Sequence, residues 1–136
     1  MRKYIDDLGI KKKETPQGWS GSQGRRKQWQ CQRKMYGFDY RETFSLDYTF
    51  LLWAYERLMM FNEVNIIDTS YHKFEYEDKE MTLQDCIDFI IDVFKYELTK
   101  DNVKNFELTM DERLLLHKRY EDSLKIFAMI LPYLWW

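Results

Sequence analysis

Asp68, Ser70 and His72 stand two residues apart in the stretch "NIIDTSYHKFEY". An acid, a hydroxyl and an imidazole are the parts of a nucleophilic triad, in which the imidazole takes the hydroxyl proton and the acid orients the imidazole. Their spacing argues against that chemistry. On an extended segment the three would share one face, with Cα atoms stepping by ~6.6 Å, because a strand rises ~3.3 Å per residue. A base must reach its nucleophile at about 2.6–3.2 Å, and parallel side chains on one strand do not converge that way. The chain also lacks a G-x-S-x-G elbow. Asp68, Thr69 and Ser70 read instead as a turn held by side-chain to backbone bonds. No catalytic residue is assigned, and the chain is expected not to be an enzyme.

Other chemistries find little support. The two imidazoles, His72 and His117, are far apart, and Cys31 and Cys86 form no C-x-x-C pair, so neither a metal nor a disulfide is required. Five glycines form neither a G-x-G-x-x-G nor a P-loop, and no cofactor is expected. A nucleotide held without a motif would need basic and aromatic residues. Arg33, Arg57, His72 and Lys73 are the candidates. The segment "RRKQWQCQRKMY" places Arg25, Arg26, Trp29, Arg33 and Tyr36 near one face of a helix. Two readings of it stay open. The arginine stems cover Trp29 and Tyr36 against the body, or a ring flanked by guanidiniums meets nucleic acid.

Charge is divided along the chain. Residues 1–35 hold ten Lys or Arg against three acids, whereas residues 36–136 hold eleven against twenty. A basic arm, about 1–37, on an acidic body, about 38–136, within one domain is the expected organisation. The arm docks on its own body or on an acidic partner or phosphate. A pI of 5.7 argues against a dedicated nucleic-acid binder. No apolar run approaches the length of a transmembrane helix, roughly 20 residues. The start, "MRKYIDDLGIKKK", has no apolar stretch of a secretory signal, so no membrane contact is expected.

The elements that would position these residues are mainly helices. A basic helix is expected from about Ser22, its N-cap, to Tyr36, stopped by Gly37. A second runs from Leu46 to about Phe61 with Ser45 as its N-cap, and Leu46, Phe50, Trp53, Ala54, Leu58 and Phe61 in period. Its other faces carry Tyr48, Leu51, Leu52, Tyr55 and Met59, so it reads as the central helix, buried on most sides. "YHKFEY", the turn "EDKE" and "EMT" make a small hairpin. Thr82 with Asp85 opens a helix whose apolar face is Ile87, Ile90, Ile91, Phe94 and Leu98. Thr109 with Glu112 opens the last, Met110 toward Ile130, with a stripe of Leu116, Tyr120, Leu124, Phe127 and Leu131 and an end at Pro132. The fold class is α+β, mainly α: about four helices and one small β-hairpin. In the terminal "LPYLWW", Trp135 and Trp136 cannot easily face one core from adjacent positions, which points to a docking surface or a homodimer.

The segments "MRKYIDDLGI", "YGFDYRETFSLDYTFLLWAYERL", "NEVNIIDTSYHKFEY", "TLQDCID" and "ILPYLWW" together resemble a group of small proteins encoded by bacteriophages of Gram-positive bacteria, over nearly the whole chain. The resemblance implies a phage origin and the cytoplasm of an infected host. It carries over no catalytic or binding residue. Small phage proteins of this kind often bind and block a host component, including CRISPR nucleases and other antiviral defences. The expected function is therefore a non-enzymatic inhibitor of a host protein. Its binding candidates are Arg25, Arg26, Trp29, Arg33, Arg57, His72, Lys73, Trp135 and Trp136. An oligomeric sponge for a nucleotide-like signal and a nucleic-acid-binding accessory protein are the alternatives.

Overall fold

The computed structural model describes residues 3–10, 23–102 and 107–135. Ser22 and Trp136, to which the sequence drew attention, and Trp19, the other tryptophan of the basic arm besides Trp29, lie outside the described residues. The described chain runs α1 (Lys3–Asp6), α2 (Gln23–Tyr36), α3 (Leu46–Val64), β1 (Lys73–Tyr76), β2 (Lys79–Thr82), α4 (Leu83–Thr99) and α5 (Met110–Ile130). Short 3-10 turns lie at Tyr40–Thr43, Lys100–Asn102 and Leu131–Tyr133. This is a mainly helical α+β fold with one two-stranded antiparallel hairpin.

Helix α4 is the axis of the core. Leu83, Cys86, Ile87, Ile90, Val93, Phe94 and Leu98 are all buried, and α3, β2 and α5 pack around it. Asp88, Asp92 and Lys95 stay on the exposed side, as the period requires. The capping box is complete: the Thr82 hydroxyl accepts from the Asp85 amide (3.1 Å), and the Asp85 carboxylate accepts from the Thr82 amide (3.0 Å).

The expectation that α3 is central and buried on most sides is corrected. Only Leu51, Ala54, Tyr55 and Leu58 of α3 are buried, and Leu46, Trp53, Met60 and Val64 are exposed. The helix has one core stripe, and α4 takes the place that the sequence assigned to α3. Ser45 precedes it in a left-handed conformation (φ 47°) and makes no side-chain cap bond. In α5 the core stripe is Ser123, Ile126 and Ile130, turned from the expected one. Tyr120, Leu124 and Phe127 are half-buried beside it, and Leu131 is exposed. Ser123 tolerates the core because its hydroxyl donates to the Tyr120 carbonyl (2.6 Å). Thr109 accepts from the Glu112 amide (3.2 Å) at the start of α5, and Pro132 lies in the 3-10 turn that ends it.

The hairpin is tighter than "EDKE" suggested. Tyr76 pairs directly with Lys79, so Glu77 and Asp78 alone make the turn. Both have positive φ, 47° and 62°. That is the signature of a type I′ turn, which matches strand twist. Helix α5 holds the hairpin. The Tyr76 hydroxyl donates to Asp122 (2.6 Å), and Lys118 bridges Glu77 and Asp122. Helix α1 meets the far end of α3, where Lys3 and Tyr4 both engage Glu63. Cys31 is exposed and Cys86 is buried, and both are free thiols.

Candidate partner-binding surface

Gly37, at φ 83°, ends α2 and turns the chain into a corner. L side chains resist that conformation, which is why glycine stands there. Asp39 locks the corner. It is 1% exposed and accepts from Arg33 Nε (2.6 Å), Arg41 Nε (2.9 Å), Arg41 Nη2 (2.9 Å) and the Arg41 amide (3.1 Å). The two guanidiniums, Arg41 first, hold the Asp39 carboxyl far below the usual carboxylate range, against its burial. The Gln32 side chain accepts from the Tyr40 amide (2.9 Å) and ties the corner back to α2.

This clamp decides the fate of the basic helix. Arg41 lies over the Trp29 ring (3.9 Å to its centroid) and Tyr40 packs at 6.5 Å, so Trp29 is buried. Arg33 is committed to Asp39. The reading of Trp29 as an exposed face for a base is thereby corrected, while Arg33, paired with Asp39, keeps an exposed side chain. The anchoring reading holds for Trp29, although Arg41, outside the basic run, is what covers it. It fails for Tyr36, which is 64% exposed. Arg25 is half-buried and Arg26 exposed along α2.

What the corner presents is an aromatic groove. Tyr36 and Phe38 project beyond the end of α2, their rings 6.2 Å apart. Across from them, α3 offers Leu46 (64% exposed), Leu52 and Trp53 (47% exposed). The space they line is about 690 Å³, with Glu42, Glu56 and Arg57 on its walls. Arg57 lies over the Trp53 ring (4.5 Å) and donates to the Trp53 carbonyl (3.2 Å). Trp53 also stacks on Phe50 (6.4 Å), which packs edge-on against Phe94 and Phe127. The exposed indole is thus fixed to the core from one side and to a guanidinium from the other. Arg57 is among the residues expected from sequence, whereas Trp53 and Leu46 are expected in the core and lie outside it. The signal was a helix with more apolar residues than one stripe can bury, read from the sequence as burial on most sides.

A second aromatic array joins two other flagged segments. The His72 ring lies 5.3 Å from Tyr71 and 5.1 Å from Tyr133, and Tyr133 is 5.0 Å from Phe74. Trp135 follows at 72% exposure. The strand begins only at Lys73, because residues 69–71 are in a turn. There the Asp68 carboxylate accepts from the Ser70 amide (3.0 Å) and hydroxyl (2.5 Å). These bonds, the hydroxyl's first, lower the Asp68 pKa. Ser70 is therefore bonded to the acid, and its imidazole neighbour faces aromatic rings, so the three residues do not form a triad. Lys73 pairs with Glu80 across the hairpin (3.5 Å). Arg33 is bound at the corner, Arg57 lies over Trp53, and His72 lies against Tyr133. The cations chosen for a phosphate ligand thus stand at separate places. Among the described residues no group of three His, Cys, Asp or Glu side chains could hold a metal, and no helix is long and apolar enough to cross a membrane.

No protein-family model, curated protein or solved structure matches the chain.

Proposed function

We propose that this chain is a non-catalytic binding protein that docks a protein of its host cell in the α2–α3 groove, in the manner of a phage accessory protein that blocks a defence component. The carrying observation is Trp53, a half-exposed indole held rigid by Phe50 and by Arg57. Tryptophan is the residue type that dominates the energetics of protein interfaces. Its rigidity lowers the ordering cost of association. Tyr36, Phe38 and Leu46 enlarge the apolar contact around it, and Glu42 and Glu56 line its walls. The partner chemistry that fits is an apolar or aromatic segment, met by Tyr36, Phe38, Leu46 and Trp53.

A photocrosslinking residue at Leu46, on the exposed rim, tests this in the infected or expressing host. One host protein should crosslink, and Trp53→Ala should weaken its binding to purified protein by about thirtyfold, the ~2 kcal/mol of a hot-spot residue. Trp53 is partly exposed, so helix content should survive the change. A folded Trp53→Ala protein with unchanged partner affinity sinks the proposal.

A further inference from the structure

Where α3 begins, α4 ends and α5 begins, the helices leave a cavity of about 560 Å³. It shares no lining residue with the aromatic groove. Each helix contributes one tyrosine: Tyr48, Tyr96 and Tyr120. Leu51 and Leu116 add apolar surface. All three rings are half-buried, so they offer area to a ligand while remaining fixed by packing.

The charges around these rings do not cancel. Carboxylates come from Asp47, Glu97 and Asp101, and cations from Lys100, Arg113 and, when protonated, His117. Lys100 is neutralised by Glu97 at 2.7 Å, and His117 meets Glu121 at 3.0 Å. Asp47, Asp101 and Arg113 make no ion pair among the described residues, which leaves two carboxylates against one guanidinium. Those carboxylates lie close to the rings. Burial and then Asp101 push the Tyr48 phenol up. Burial, Glu97 and Asp47 do the same to Tyr120, with Lys100 opposing. Both rings thus stay neutral, with electron-rich faces, in a negative field.

Aromatic faces beside carboxylates are the chemistry that takes a weakly hydrated organic cation out of water. A phosphate-bearing ligand would instead meet two unpaired acids. We propose that this cavity binds an organic ammonium ion, its charge answered by Asp47 and Asp101 and its alkyl groups covered by Tyr48, Tyr96 and Tyr120. A free ammonium ion and one carried on a protein side chain present the same recognition chemistry.

The test is a choline titration of the full chain with ring-labelled tyrosine, followed by NMR and calorimetry. Saturable shifts confined to the three tyrosines are expected. Asp101→Asn and Tyr120→Leu should each lower affinity by at least about fivefold, the effect of one lost cation partner. Glu75→Gln, on the exposed hairpin, should leave it unchanged. If Tyr120→Leu loses helix content, the exposed Asp101 position decides alone. A trimethyl-lysine peptide binding more tightly than choline would place the ammonium on a protein, and the reverse would make it a free metabolite; both support the site. Equal shifts from sodium chloride, no saturable shift, or a folded Asp101→Asn protein with unchanged affinity would overturn it.

Discussion

Replacing Asp39 by Asn removes one charge from the corner that presents the groove while keeping the shape of the side chain. The carboxylate is buried and accepts four bonds, three of them from guanidinium nitrogens. Breaking a buried ion pair by deleting one partner costs about 3–5 kcal/mol. Here the Arg33 side chain is 57% exposed and that of Arg41 30%, so water recovers part of each cation. The amide oxygen still accepts one or two bonds. The expected loss is therefore about 2 kcal/mol at neutral pH. With a urea slope of about 1.5 kcal/mol/M, the unfolding midpoint falls by roughly 1.3 M. Far-ultraviolet circular dichroism reads it. The pH dependence supplies a second check. The Asp39 pKa is lower in the folded chain than in the unfolded one, so its stabilisation is fully present above about pH 4 and is lost as pH falls toward the folded value. The gap between the two proteins should be flat near neutrality and shrink in acid. A gap under about 0.5 kcal/mol, or one that widens on acidification, would refute the clamp.

Four further outcomes are expected. Gly37→Ala has open space for its Cβ but must keep φ at 83°. Urea unfolding should therefore show a loss of about 1 kcal/mol from backbone strain alone. Phe94→Ala, at the centre of α4, should cost about 3–5 kcal/mol and leave little folded protein by calorimetry. A thiol reagent should modify Cys31 quickly and Cys86 only in denaturant, since burial, then Asp85, pushes that thiol up to about 11; two fast thiols would contradict the core. The Tyr76 phenol, bonded to Asp122, is pushed up to about 12, so its stabilisation is present below about pH 10 and is lost as pH rises through about 12. Tyr76→Phe should cost about 1 kcal/mol at neutral pH and remove that alkaline loss, read by urea unfolding across the pH range.

Local signals were legible in the sequence, and the division between core and surface was not. Thr82 with Asp85, Thr109 before Glu112, Gly37 and Pro132 each act within one turn, so residue type and spacing place those four helix ends, whereas Ser45, of equally suitable type, makes no cap bond. Helix α3 defeats the same approach. Two adjacent stripes are both apolar, and a period fit cannot tell Leu46 and Trp53 from Leu51 and Tyr55 until α4 is known to lie beside the second. In α5 a serine entered the core unannounced because its hydroxyl bonds within its own helix. Trp29 and Arg33 read equally well as anchor or as binding face, and only Asp39, beyond the end of α2, resolved them. The cavity tyrosines, Tyr48, Tyr96 and Tyr120, come from three helices, so no segment of sequence shows them together.

Thr82 is both the last residue of β2 and the N-cap of α4. There is no linker between them. Lys118 and Asp122 fasten the opposite end of the hairpin to α5, so the two strands form a strut clamped at both ends. Force applied at the Glu77–Asp78 tip therefore passes to the axis of the molecule without a hinge to absorb it.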